Sequence, residues 1–251
     1  MASNKPQDFG QPLVLEDFIP VQDPVTFASP PLCATCHTPI SHHQRCSTCK
    51  NINYCSKECQ VHNHVTIAYS HNGTNTHQST DWPHHKSLCK SFTRSTPPTN
   101  SSRRALFFSD SSSRPRFIHL TYATDGKPLD INNSFPATPA HEIKTIGFHN
   151  RYLPYWIQLS YDSNATSRVL PKNSALGYAF RGPVVAVGYD PVEGLSAPAV
   201  DVDTRALGPV VGYARLRERY RGVIFVEQPQ GRWTVEEWGR IVEGRESGDG
   251  V

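Results

Sequence analysis

Apolar positions along this chain fall into short, separated runs rather than one long periodic pattern. Phe117-Ile118-His119-Leu120-Thr121-Tyr122 predicts a strand, and Asp125-Gly126 directly after it predicts a turn. Trp156 to Tyr161 and Val184 to Tyr189 predict two more strands, and Val223 to Val226 a fourth of the short buried type. Leu207, Val210, Val211 and Ala214 share one face of a helix over Thr204 to Tyr220, capped by Asp203 or Thr204, although Gly208, Pro209 and Gly212 weaken it. A second helix is announced by a capping box, Thr234 with Glu237, and by an apolar face of Trp238, Ile241 and Val242. These elements together predict a small α+β domain.

Ahead of that domain the pattern fades. Residues 1–31 carry six prolines and read as a flexible N-terminal arm. Residues 91–115 are rich in Ser, Thr, Pro and Arg and read as a linker, with residues 95–102 and 109–115 as its loosest parts. The expected organisation is an arm at 1–31, a cysteine-rich module at 32–90, a linker at 91–115, an α+β domain at 116–244 and a tail at 245–251. No internal repeat is visible.

Charge changes this picture little. A formal net charge of +3 over 251 residues does not by itself call for nucleic acid or an anionic membrane. The first thirty residues lack the apolar run of a secretory signal, and no stretch reaches the length of a membrane-spanning helix. The expectation is an intracellular protein, in nucleus or cytoplasm, where thiols stay reduced.

The cysteines carry the chemistry. All seven lie between Cys33 and Cys89. Seven is odd, so a pure disulfide framework strands one thiol, and clustering in a reducing compartment reads as metal binding. The ligand residues come in four pairs: Cys33/Cys36, Cys46/Cys49, Cys55/Cys59 and His85/Cys89. Two intervening residues let a tight turn aim both thiolates at one ion, and three place both ligands on one face across a helical turn. Eight ligands fill two tetrahedral sites with no open position, so the expected cofactor is two Zn2+ ions in a structural role. An iron–sulfur cluster would use four of the cysteines and leave the pair with His85 unexplained.

These pairs, with Tyr54-Cys55-Ser56-Lys57-Glu58-Cys59-Gln60 and Asp81-Trp82-Pro83-His84-His85-Lys86-Ser87-Leu88-Cys89, resemble the MYND zinc-finger family over about 57 residues. The resemblance implies a cross-brace. Cys33, Cys36, Cys55 and Cys59 would hold one zinc, and Cys46, Cys49, His85 and Cys89 the other. Of the two adjacent histidines only His85 has the family's spacing to Cys89, which leaves His84 outside the ligand set. The resemblance also implies a protein–protein interaction module. Some members grip short proline-containing peptides, and Gln60 and Trp82 match the positions tied to that groove. In the C-terminal half, Arg181 to Tyr189, Asp201 to Thr204 and Arg221 to Glu227 resemble the tails of fungal MYND-domain proteins, which implies no activity.

One departure stands out. The family places two residues between Cys-Gln and Asp-Trp, whereas here twenty separate Gln60 from Asp81. Removing Val61 to Gln78 leaves Cys59-Gln60-Ser79-Thr80-Asp81-Trp82, which matches. Those eighteen residues correspond to 54 nucleotides, and their codons permit a GT start, an AG end and an internal CTAAC through Thr74-Asn75. The segment reads as an insertion that a retained short intron would explain. A genuine loop, with His62, His64, His71 and His77, is the other reading.

The expected function is that of a zinc-binding adaptor or regulatory protein whose partner is a protein or peptide. The alternative is a nucleic-acid-associated regulator, resting on Arg215, Arg217, Arg219 and Arg221 and on Arg103, Arg104, Arg114 and Arg116; Glu218 interrupts the first cluster, and no groove-reading helix is apparent. A methyltransferase, which some MYND fingers accompany, has less support, because the cofactor motif and trailing cysteines of a SET domain are missing. No residue is marked as catalytic.

Overall fold

A computed structural model describes residues 25–40, 44–61, 81–135, 143–150, 152–165, 169–193 and 197–219. The strand expected at Val223 to Val226, the helix expected at Thr234 to Val242, most of the arm and most of the insertion lie outside the described residues.

The N-terminal part is built from strands β1 (Gln44–Arg45) and β2 (Asn53–Tyr54), which pair antiparallel, and helices α1 (Lys57–Val61) and α2 (Asp81–Arg94). Its apolar core is very small. Among the described residues its buried members besides cysteines are Ile40, Ile52 and Tyr54. A core of this size cannot offset the entropy of ordering its chain, so some other agent must hold it.

The C-terminal part is a mixed α/β domain. Its centre is a five-stranded sheet made of β3 (Ser102–Phe108), β4 (Arg116–Thr121), β5 (Ile143–His149), β6 (Trp156–Asp162) and β9 (Val184–Tyr189), in the order β4-β3-β9-β6-β5, antiparallel throughout. Strands β7 (Lys172–Asn173) and β8 (Gly177–Arg181) form a small separate ribbon, and α3 (Leu207–Arg219) follows a short 3-10 turn at Thr204–Ala206. β9 is the middle strand and all six of its residues are buried. Its alternation sorts two cores. Val184 and Ala186 join Leu106, Phe108, Phe148, Ile157 and Leu159 on the face that also holds Leu88 of α2 and Leu207, Val210 and Ala214 of α3. Val185, Val187 and Tyr189 join Ala105, Phe107, Leu120, Tyr122 and Phe135 on the other face. Register explains the sorting, because Leu106 sits opposite Ala186 and Phe107 opposite Val185.

Three expected strands are present with ends shifted by at most one residue, and the turn after β4 closes by Gly126 N–H donating to the Ala123 carbonyl at 3.1 Å, with Gly126 at φ +82°. The expected linker requires correction. The end of α2 and all of β3 fall inside residues 91–115, and β3 is an inner strand of the main sheet. Ala105-Leu106-Phe107-Phe108 is a continuous apolar run because both faces of β3 are covered, and Ser- and Pro-rich flanks disguise it. The boundary expected after residue 90 likewise falls within α2.

The helix expected from Thr204 forms as a 3-10 turn that runs into α3. Asp203 caps it, its carboxylate accepting from the Arg205 N–H at 2.8 Å. Pro209 does no harm, since it lies in the first turn of α3, where backbone N–H groups need no intrahelical partner. Gly208 faces the His84 ring, where a Cβ would sit in ordinary van der Waals contact at 3.5 Å.

Candidate metal centre

The two Cys-x-x-Cys pairs fold alike. The His37 N–H donates to the Cys33 carbonyl at 2.9 Å, and the Lys50 N–H to the Cys46 carbonyl at 2.8 Å. Each turn ends on a residue in left-handed conformation, His37 at φ +58° and Lys50 at φ +55°. Glycine is the usual choice there, so the sequence gives no warning of this turn. Each turn presents its two thiols on one side.

The other two pairs use helices. Cys55 lies two residues before α1 and Cys59 lies within it, its N–H accepted by Ser56 Oγ at 3.2 Å. His85 and Cys89 both lie in α2, one turn apart. The fold brings these pairs together crosswise. Cys33, Cys36, Cys55 and Cys59 form one cluster and Cys46, Cys49, His85 and Cys89 the other, with all ligand atoms in each within 4.8 Å of one another. Cys36 Sγ lies 3.5 Å from Cys55 Sγ, and Cys55 Sγ 3.4 Å from Cys59 Sγ. Cys46 Sγ lies 3.6 Å from Cys89 Sγ, and Cys49 Sγ 3.8 Å from His85 Nε2. Four ligands about 2.3 Å from a tetrahedral zinc stand about 3.7 Å apart, so both clusters have the right size for that ion.

The electrostatics ask for a cation. Burial raises every thiol in the clusters that shifts upward, and neighbouring sulfurs add to it: Cys89 is pushed up to about 12 by burial and then by its contacts with Cys46 and Cys49. Cys59 is raised further still, by burial and then by Cys55, Cys33 and Cys36. Cys36 goes the other way, to about 7; burial opposes this, but hydrogen bonds from Thr38 outweigh it, the Thr38 Oγ1 contact being 3.0 Å. Neighbouring thiols thus resist becoming thiolates together until a divalent ion compensates their charge. Burial drives the His85 imidazole down to about 4, with Asp203 weakly opposing, so its ring is neutral at physiological pH, as a ligand must be.

The clusters differ in their surroundings. In the first, Cys33 is buried, Cys36 and Cys59 are half-buried and Cys55 is exposed. In the second, Cys46, His85 and Cys89 are buried and only Cys49 is half-buried. Tyr54 packs edge-on to the His85 ring, with centroids 6.4 Å apart. His85 Nδ1 lies 3.0 Å from Thr204 Oγ1, a contact between α2 and the start of the 3-10 turn that no local sequence signal could reveal. His84 is outside both clusters. It is half-buried beside Gly208, and its ring is held below the usual imidazole range by burial and by Arg215.

Of the two groove candidates, Gln60 is half-buried in α1 and Trp82 falls in the first turn of α2; the placement of the Trp82 side chain lies outside the described residues. The arginines proposed for nucleic acid are partly committed elsewhere. The Arg104 guanidinium stacks over Phe92 at 4.3 Å, and its Nε donates to the Ser95 carbonyl at 3.0 Å. Arg103 donates to the Asn100 carbonyl at 2.6 Å. No helix among the described residues is long and apolar enough to cross a membrane.

The MYND finger family model matches residues 33–66. No curated protein and no solved structure matches the chain significantly. Fingers of this family are non-catalytic structural domains that generally serve protein interaction. The family match and the two interleaved Cys/His clusters, consistent with two Zn2+ ions, show that this chain carries a MYND-type zinc-finger domain.

Proposed function

We propose that the eight clustered side chains hold two zinc ions as closed, four-ligand structural sites, and that the finger so shaped is a docking module in an adaptor or regulatory protein. One observation carries this reading: the clusters interleave along the chain, while the apolar core between them amounts, among the described residues, to Ile40, Ile52 and Tyr54. Structural zinc contributes on the order of 10 kcal/mol or more to folding. The metal therefore supplies what the core lacks, and saturated coordination leaves no position for substrate.

The residues taken to meet a partner are Gln60 and Trp82, the positions the MYND resemblance ties to a groove for proline-containing peptides; an indole has an apolar face and one N–H donor suited to such a ligand. The full chain, zinc-loaded, should capture such a partner from a proline-rich peptide array, and the zinc-stripped chain should not. Trp82→Ala should weaken capture at least tenfold while keeping both ions. Full affinity in a folded, zinc-loaded Trp82→Ala protein would exclude the groove.

Residues 61–78 are best read as foreign to the finger. The family match reaches residue 66 and omits His85 and Cys89, although the fold brings both to the second cluster. Lengthening the gap from 7 to 25 residues costs roughly 1 kcal/mol of loop closure, which zinc binding outweighs. Transcript sequencing should show a form spliced across these 54 bases; reads that are always continuous would establish a genuine loop.

A further inference from the structure

The finger motif ends at Cys89, yet its second metal cluster continues into the C-terminal domain. Both ring nitrogens of His85 have a neighbour. Its Nε2 faces Cys49, and its Nδ1 meets Thr204 Oγ1 at 3.0 Å, 119 residues further along the chain. Both residues are completely buried. Thr204 is itself held firmly. The Val202 N–H donates to the Arg104 carbonyl of β3 at 3.0 Å, and the Asp203 N–H to the Tyr155 hydroxyl at 3.4 Å. The Asp203 carboxylate then clamps Arg205 through an ion pair of 2.6 Å. Other contacts tie the same surfaces together: the His37 ring stacks on Tyr152 at 3.4 Å, and α2 lies against both α3 and the 3-10 turn.

We propose that Thr204 is a positioning residue for the second zinc site, and that through it metal binding at Cys46, Cys49, His85 and Cys89 is coupled to the folding of the C-terminal domain; this rests on the ligand assignment above. The chemistry is specific. A histidine that ligates through Nε2 must carry its proton on Nδ1, and that proton needs an acceptor in a site with no water access. The Thr204 hydroxyl oxygen accepts it, fixing both tautomer and ring direction. The first cluster, with its exposed Cys55, makes no comparable contact among those described, so the two zinc ions should differ in how tightly they are held.

The test uses the full chain. Zinc content of the wild-type protein comes first: fewer than two ions would overturn the ligand assignment rather than the role of Thr204. With two ions bound, competition against a chromophoric chelator should show that Thr204→Val weakens one site by roughly 10–100-fold and leaves the other unchanged. Thr204→Ser, which keeps the hydroxyl, should restore it to within a few-fold. Equal affinities in Thr204→Val and wild type would overturn the proposal, as would Thr204→Ser behaving like Thr204→Val. Nitrogen-15 NMR of the wild-type imidazoles gives a readout that no variant's folding affects. The proposal requires a slowly exchanging proton on His85 Nδ1, and a zinc-loaded His85 protonated on Nε2 would refute it.

Discussion

Cys89→Ser is expected to halve the zinc content, from two ions per chain to one, and to loosen the C-terminal domain along with the finger. The serine hydroxyl is not ionised at neutral pH and is a poor zinc ligand, so the second cluster loses a quarter of its coordination. Because apparent zinc-binding energies match or exceed the whole stability of a typical small domain, losing the ion removes most of what orders residues 44–61. The damage should not stop there. Cys89 is buried on a helix that also carries Leu88 into the core of the sheet domain. Cys55→Ser makes the natural comparison. It too should lower zinc to one ion, but Cys55 is exposed and belongs to the first cluster. The finger should therefore suffer while the sheet domain keeps its near-ultraviolet dichroism and melting temperature. Metal analysis and thermal melts of the two variants side by side decide the matter; identical melting of the sheet domain in both would mean that the two zinc sites are equally remote from it.

The second large effect is expected from Leu88→Ala. Leu88 is fully buried and belongs to the same core as Leu106, Ile157, Leu159 and Val210. Truncating it removes apolar contact and leaves a cavity, which costs about 2–5 kcal/mol, depending on how far the surroundings collapse. Urea denaturation at saturating zinc measures this loss. The neighbouring Lys86 is exposed, and Lys86→Ala should change stability by no more than about 0.5 kcal/mol. A loss in Leu88→Ala as small as that would contradict the placement of α2 against the sheet.

Residue by residue, the metal clusters were the most legible part of the chain. Coordination imposes short, rigid spacings, so four ligand pairs announce themselves wherever they stand, and His85 is told from His84 by the three-residue gap to Cys89 that the MYND resemblance calls for. β9 is legible for a similar reason: the β-branched apolar run at Val184 to Val187 suits a strand covered on both faces. β3 is disguised although five of its seven residues are buried, because serines and prolines flank it and Arg103 and Arg104 stand in its first half. Only the fold reveals that Arg104 is there to stack on Phe92 and bond Ser95. β5 hides for the opposite reason. It is an edge strand with exposed Lys144, Thr145 and Gly147, so little apolar alternation survives beyond Ile146 and Phe148. The left-handed turns at His37 and Lys50 lack the glycine that normally signals them. The contact of His85 with Thr204 spans too much chain for any local pattern to encode it.

Helix α2 has a practical consequence for dissecting this protein. Its ligands His85 and Cys89 and its core residue Leu88 alternate within a single turn and a half. A fragment cut after residue 90, where the zinc motif ends, would sever the helix four residues early. It would turn Leu88 toward water and separate His85 from Thr204. Such a fragment is expected to be sticky and to hold one of its two zinc ions poorly, so an apparent loss of partner binding by the excised finger would report the cut rather than the finger.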